Sequence, residues 1–305
     1  MPNSLAHIGV NGLTTRAVIN NADLKWIYIG CIIPDLPWIL QRIAKEIPGV
    51  NLYDLRSYAI IQASLIFCLV LSAALSSFST RYRKTFLILS LGSLFHLILD
   101  AVEIKWANGV HLLAPFNWSL LNFNLVWPES IPIYLITFLG LVYFVLNWKN
   151  VVNQPSELNF KNSKPYLISI IFLFIYFALP LFLLDGPRQA DNHYVKTLSN
   201  ENDRTGSYME LDRGLFTPES KTINTFADED LKVEGINLNH SATLSVRAKF
   251  VNNKTLQIIE YHEHDAVFRD GVSYLALLLI AVVWIISLLK FKFYSKPALS
   301  ADRFK

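Results

Sequence analysis

Long apolar runs separated by short charged segments dominate this chain. A helix needs about 20 apolar residues to cross the roughly 30 Å hydrocarbon core of a bilayer, and charged side chains inside that core are costly. Five intervals without Asp, Glu, Lys or Arg pass or nearly pass this test, namely residues 57–80, 85–99, 130–148, 165–184 and 271–289. The pattern therefore predicts an α-helical integral membrane protein with about five spans.

Two shorter features modify this pattern. Residues 26–34 are apolar but too few to cross a bilayer, and they end at Pro34 and Asp35, so we expect a half-inserted or core-packed segment. The interval 85–99 is also short, and it carries His96 near its far end and is followed by Asp100. The last turn of that predicted span is therefore polar.

The charges between the spans predict an orientation. Basic residues gather in two connections and in the C-terminal tail, whereas the loop 101–129 contains only Lys105. Because basic loops tend to stay in the cytoplasm, we expect a bacterial inner-membrane protein with a cytoplasmic C-terminus. The N-terminal segment and residues 186–270 should then be periplasmic or extracellular. The basic residues concerned are Arg81, Arg83, Lys84, Lys149, Lys161, Lys164, Lys290, Lys292, Lys296, Arg303 and Lys305.

Residues 186–270 differ from the rest of the chain because they are polar and rich in turn signals. Short runs of alternating apolar and polar residues lie between these turns, and such runs are typical of half-buried strands. Several short strands with frequent turns predict a small all-β soluble domain, and about five strands would suit an OB-like barrel. The clearest alternating runs are residues 231–238, 242–251 and 254–261.

These patterns divide the chain into a helical membrane core (1–118), two further spans (119–185), the β domain (186–270) and a final span with a basic tail (271–305). Hydrophobic residues make up 52% of the chain and charged residues 17%, whereas soluble proteins carry about 25% charged residues. The net charge of +3 is too small to indicate a nucleic-acid partner. The bilayer is the expected partner, and the β domain offers a surface for a protein partner.

The residues most suited to chemistry lie at the end of the second predicted span. His96 and Asp100 are one helical turn apart on one face, which suits two metal ligands or a ligand with its orienting carboxylate. Ionisable groups at the edge of a span are functional candidates because they are costly there. His7, Asp35 and His111 are predicted on the same side of the membrane and are further candidate ligands. The alternative is a helix-end pair that faces water or lipid headgroups.

A second candidate pair lies in the β domain. His262 and His264 are two residues apart, so on a strand they point to the same face and could bind a metal ion. The alternative is a solvated strand end.

Residues 1–118 resemble the YdjM-like family of membrane-bound metal-dependent hydrolases, which is itself similar to the zinc-dependent phospholipase C family. The resemblance is carried by the early helix with His7, by residues 30–35 (GCIIPD), by the spacing of His96 and Asp100, and by residues 109–116 (GVHLLAPF). It implies a helical fold around a divalent metal ion, with zinc expected. It also implies a hydrolase with a phosphoester or lipid-derived substrate.

The chain departs from the family pattern in one important segment. The family has an HRGxTHS-like segment after the Pro-Asp element, but residues 54–64 here are DLRSYAIIQAS, so both histidines are missing. The family often has a Thr where this chain has Glu103. The departure leaves open a weaker metal site, a site for one ion, or no site.

Two functions follow as hypotheses. The first is a metal-dependent hydrolase at the outer face of the membrane, with His7, Asp35, His96, Asp100 and His111 as the candidate ligand set. Glu103 or Asp35 would be its general base. The second is a non-enzymatic membrane scaffold whose β domain binds a partner or an envelope component.

Overall fold

The computed structural model describes residues 4–154, 158–160, 163–190 and 193–294. Lys161 and the basic residues Lys296, Arg303 and Lys305 of the predicted orientation lie outside this part. The helices are α1 (Ser4–Val18), α2 (Leu24–Ile32), α3 (Leu36–Ala44), α4 (Leu52–Gln62), α5 (Leu65–Ser76), α6 (Tyr82–Val102), α7 (Ile131–Asn153), α8 (Lys164–Ala178), α9 (Asp185–Gln189), α10 (Val195–Ser199) and α11 (Ala266–Tyr294). The strands are β1 (Tyr208–Thr217), β2 (Thr222–Asn224), β3 (Asp230–Glu234), β4 (Ala242–Asn252) and β5 (Thr255–His264).

Five helices are long and apolar enough to cross a membrane, in agreement with the predicted number. Their identities differ from the prediction in two places. The predicted span 57–80 is broken into α4 and α5, which meet at an angle of 69°. The stretch 26–34, predicted to be too short, belongs instead to a candidate span. The five candidate spans are Leu24–Ala44, Tyr82–Val102, Ile131–Asn153, Lys164–Gln189 and Val267–Lys290.

Local backbone chemistry explains both differences. Pro34 and Pro37 each occupy one of the first two positions of a helical segment, in the 3-10 turn Ile33–Asp35 and in α3. A proline there needs no N–H partner, so the chain continues as a helix past both prolines. Ser64 instead adopts an extended conformation with ψ 158°, which ends α4 and starts α5 in a new direction.

Lysine side chains mark one end of the helical body, here called the basic end. Lys84 donates to the backbone carbonyls of Asn20 and Asn21, which follow α1. Lys25 and Lys290 donate to carbonyls at the C-terminal end of α7. The chain after α1 therefore reaches the basic end, while the side of the membrane on which the N-terminal segment lies stays a prediction.

A closed five-stranded β barrel lies at the other end of the body, with strand order β1-β2-β3-β5-β4. Strands β3 and β5 are parallel, and the other neighbouring strands are antiparallel. The barrel confirms the predicted small β domain, while the OB-like assignment stays a prediction. The strand predicted over 231–238 ends at Glu234 because Gly235 has a φ of +92°.

Glycines set the closest approaches between helices. A Cβ atom at Gly140 of α7 would overlap the Leu5 carbonyl of α1, and one at Gly9 would lie 2.6 Å from the Gly140 Cα. A Cβ atom at Gly92 of α6 would lie 3.1 Å from the Gly30 Cα of α2. The packing of α1 against α7 and of α2 against α6 therefore depends on residues that lack a side chain.

We predict that Gly140→Ala lowers the free energy of unfolding by about 1–3 kcal/mol, because the added methyl group cannot fit against α1. The matched control is Gly271→Ala in α11, where an added Cβ atom meets no atom within 4 Å. This control should be neutral or stabilising by up to about 1 kcal/mol. Thermal and denaturant unfolding in detergent would measure both variants, and equal stability of the two would contradict the packing argument.

Candidate metal centre

Four of the predicted ligands converge at the barrel end of the helical body. His7 comes from α1, Asp35 from the 3-10 turn after α2, and His96 and Asp100 from α6. The His96 Nε2 atom lies 3.4 Å from an Asp35 oxygen and 3.5 Å from an Asp100 oxygen. The His7 Nε2 atom lies 3.5 Å from the other Asp100 oxygen. The two imidazole rings stack with centroids 3.7 Å apart.

The backbone fixes the proton position of His96. Its Nδ1 atom lies 2.6 Å from the Cys31 carbonyl oxygen. A carbonyl can only accept, so Nδ1 must donate, and in a neutral imidazole the Nε2 atom then carries the lone pair. That lone pair faces two carboxylates. A histidine held through its other nitrogen in this way is the usual arrangement of a metal ligand.

The donor atoms fit a divalent cation. Both ring nitrogens of His7, the Nε2 atom of His96, and the Oδ1 atoms of Asp35 and Asp100 are buried without a hydrogen-bond partner among the described residues. A four-coordinate ion with bonds of about 2.0–2.1 Å spaces its ligand atoms roughly 3.4 Å apart. The measured separations of 3.4–3.5 Å match this spacing and exceed ordinary hydrogen bonds. His7, His96 and Asp100 therefore form a group that could hold a metal ion.

Lys105 neutralises part of this acidic environment. Its Nζ atom lies 3.4 Å from Asp100 and 3.5 Å from Glu103, and it donates to the Asp100 carbonyl. Burial alone lowers the pKa of Lys105, but the charges of Asp100 and Glu103 raise it above its usual value. Glu103, predicted as a general base, is fully buried beside this lysine.

His111 is not brought into this group. Its Nδ1 atom lies 2.8 Å from the Trp118 carbonyl oxygen and must donate to it. Burial lowers the pKa of His111 to about 4, so the ring is neutral at pH 7. These contacts fit a histidine that positions the loop between α6 and α7.

A cavity of about 470 Å³ lies between the helical body and the barrel. Asp35 and Asp100 line it, so the metal centre opens into this space. Side chains from the barrel and from the start of α11 complete its wall. The basic residues that line it are Arg42, Lys45, Arg56, Lys105, Arg213 and Arg269.

Arg56 of α4 is the most unusual of these cations. Its guanidinium group lies over the rings of Phe226, Tyr194 and Trp38, at 4.4, 5.0 and 5.7 Å from their centroids. Its Nε atom has no hydrogen-bond partner among the described residues. Aromatic faces stabilise a buried guanidinium but leave its N–H groups able to bind an anion.

A second group that could hold a metal ion comprises Glu129, His262 and His264. The two histidines are the pair predicted on one face of β5. Glu129 precedes α7 and accepts at 3.0 Å from the His264 Nδ1 atom and at 3.3 Å from the His262 Nε2 atom if both carry protons. Burial alone raises the pKa of Glu129, but these contacts and the charge of Arg213 hold it well below its usual value.

No protein-family model, curated protein or solved structure matches this chain. The function therefore has to be inferred from the side chains and the cavity they line. Sequence patterns gave four of the converging residues but missed Lys105 and Arg56 as parts of the site. Lys105 was visible as the single cation of its loop, whereas Arg56 served only as the charged boundary of a predicted span.

We predict that Lys105→Met lowers the free energy of unfolding by about 3–5 kcal/mol at pH 7, because it removes a buried cation that pairs with two buried carboxylates. Since the pKa of Lys105 is raised, its contribution is fully present below about pH 10.4 and is lost only as the pH rises further. Denaturant unfolding in detergent is the measurement. The control Lys45→Met removes an exposed lysine and should change stability by less than about 0.5 kcal/mol. Similar losses in both variants would contradict the role of Lys105.

Proposed function

We propose that this chain is a multi-pass membrane protein and a metal-dependent hydrolase that acts on a phosphoester of a lipid-derived substrate. One observation carries the proposal. Buried imidazole nitrogens and carboxylate oxygens that could bind a metal ion have no hydrogen-bond partners among the described residues, and the two aspartates of this group line a cavity that is also lined by cations. Buried polar atoms are rarely left without partners unless an ion, a water molecule or a function accounts for them.

His7, His96 and Asp100 would hold the ion, and Asp35 is close enough to join them. A divalent ion bound there would polarise a phosphoryl oxygen and lower the pKa of a nearby water molecule. Asp35 lines the cavity and is the better candidate to accept a proton from that water. Glu103 is not among the described residues that line the cavity, and we assign it the role of positioning Lys105.

The cavity wall supports an anionic substrate. Arg56 and Lys105 line the same cavity as Asp35 and Asp100, and guanidinium groups bind phosphate oxygens in a bidentate geometry. Ile39 and Leu277 line the same cavity from candidate spans, so an acyl chain could leave it toward the bilayer. A lipid substrate would then place its headgroup phosphate beside Arg56 and Lys105 and its acyl chain beside Ile39 and Leu277.

The resemblance of residues 1–118 to the YdjM-like family agrees with this proposal. His7, the Pro34-Asp35 element and the His96 and Asp100 pair are the matching residues. The missing HRGxTHS-like segment is consistent with one ion at this centre rather than two. Zinc is the expected ion because imidazole and carboxylate ligands with a four-coordinate spacing suit it.

The activity test compares purified full-length protein with the double variant His96→Ala and Asp100→Ala. We expect the variant to contain one metal equivalent less than the wild type by mass spectrometry. Its rates of hydrolysis of bis(p-nitrophenyl) phosphate, and of phosphatidic acid in mixed micelles, should fall by more than about 100-fold. Changes outside the ligand shell cost up to roughly 100-fold, and the loss of two ligands should cost more. The control His240→Ala alters an exposed histidine of the barrel and should behave as wild type. Unchanged metal content and unchanged hydrolysis in the double variant would refute the proposal.

The proposed topology places the barrel and the metal centre outside the cytoplasm, since the lysines of the basic end should stay inside. A reporter inserted near Asn200 should therefore report an extracytoplasmic location, and one fused after residue 305 a cytoplasmic one. Paired alkaline phosphatase and fluorescent-protein fusions at each site would measure this. The reverse pattern would move the metal centre to the cytoplasmic face.

The scaffold hypothesis remains the alternative, favoured by the exposed apolar side chains Val251 and Ile259 on the barrel. It predicts that the metal-centre variant keeps normal function in the cell. Substitution of both apolar residues by Ser should then abolish function while metal content stays unchanged.

A further inference from the structure

The second polar group lies where the barrel meets the helical body. Glu129 comes two residues before α7 begins, and His264 comes two residues before α11 begins. His262 is held by stacking on Trp127, with ring centroids 3.7 Å apart and an angle of 7° between the planes. The ligand atoms of Glu129, His262 and His264 all lie within 4.8 Å of one another.

Hydrogen bonds to Ser245 fix the proton position of His264. The Ser245 hydroxyl accepts from the Arg213 backbone N–H at 3.2 Å and donates to the Asp212 carboxylate at 2.9 Å. A hydroxyl has only one proton, so the His264 Nε2 atom at 2.8 Å must be the donor in its contact with Ser245. In a neutral ring the Nδ1 atom then presents its lone pair to Glu129.

That lone pair and the Glu129 oxygen are both acceptors, yet they lie 3.0 Å apart. The His262 Nε2 atom approaches the other Glu129 oxygen at 3.3 Å. The two nitrogens and the carboxylate lie within 4.8 Å of one another, which is close enough for one small divalent ion to contact all three. Arg213 approaches Glu129 at 3.6 Å, which is too long for a hydrogen bond and leaves the carboxylate able to bind a cation.

The same contacts exclude a different function. Ser245, His264 and Glu129 are connected like a serine, histidine and acid triad. However, Ser245 is completely buried, and its proton is directed to Asp212 rather than to His264. It therefore cannot act as a nucleophile on an outside substrate, and its role is to orient the histidine.

We propose that Glu129, His262 and His264 form a second divalent-cation site, of the zinc class, that fastens the barrel to the helical body. Ser245 and Asp212 orient His264 from behind, as outer-shell residues orient a metal-binding histidine. The ion would join the segment that enters α7 to the segment that enters α11. This inference rests on residues separate from those of the proposed hydrolase centre.

The test is zinc binding by the full-length protein in detergent after chelator treatment. The wild type should bind two zinc equivalents, and the double variant His262→Ala and His264→Ala should bind one. The double variant His96→Ala and Asp100→Ala should also bind one, through the remaining site. The exposed pair of His240 and Glu263 on the same barrel supplies the matched control, since His240→Ala should still bind two.

Glu129→Gln keeps the size of the side chain and covers the case in which the double variant does not fold. It should weaken zinc binding at the second site at least about tenfold. Zinc affinity equal to that of the wild type in Glu129→Gln would overturn the inference. A second result would also overturn the inference, namely that the wild type binds one zinc equivalent and loses it only in the His96→Ala and Asp100→Ala variant. In that case a proton on His264, rather than an ion, would be the partner of Glu129. That second result would leave the proposed hydrolase centre supported.

Discussion

The helical body depends on one constraint, which is that nitrogen and oxygen atoms with lone pairs face one another in a buried place. Imidazole nitrogens of His7 and His96 and oxygens of Asp35 and Asp100 lie 3.4–3.5 Å apart with little solvent access. Such atoms repel unless a cation or a proton lies between them. Without such a cation or proton the surrounding chain alone must hold these atoms together, and the close glycine contacts of α1 with α7 and of α2 with α6 fix helices that carry them.

The barrel is part of the same arrangement rather than an independent appendage. Its residues Tyr194 and Phe226 cover the guanidinium of Arg56, which α4 presents to the cavity. Asn108 of the loop after α6 donates to Asp212 of the barrel. The cavity therefore exists only where the two parts meet, and both parts supply carboxylates and cations to its wall.

Local patterns in the sequence were sufficient for some of these features and insufficient for others. The spacing of His96 and Asp100 fixes their common face, and strict alternation locates β4 and β5, because both depend on short-range periodicity. The break at Ser64 and the continuation of the chain from α2 through the turn at Pro34 into α3 depend on local backbone conformations that hydropathy does not encode. The positions of Lys105 and Arg56 in the site depend on contacts between distant segments, and a single sequence carries no direct signal for those.

The loop between α6 and α7 contributes to both polar groups, so a movement at one group can affect the other. Lys105 of this loop contacts Asp100 at the first group, Asn108 contacts the barrel, and Glu129 belongs to the second group. A shift of the barrel would therefore move the loop at Asn108 and Glu129 and alter the position of the charge that Lys105 presents to Asp100. If a cation holds the barrel end of the loop, it also limits how far the cavity can open. The second group then acts on the first through the loop that they share, and no conformational change across the helical body is required.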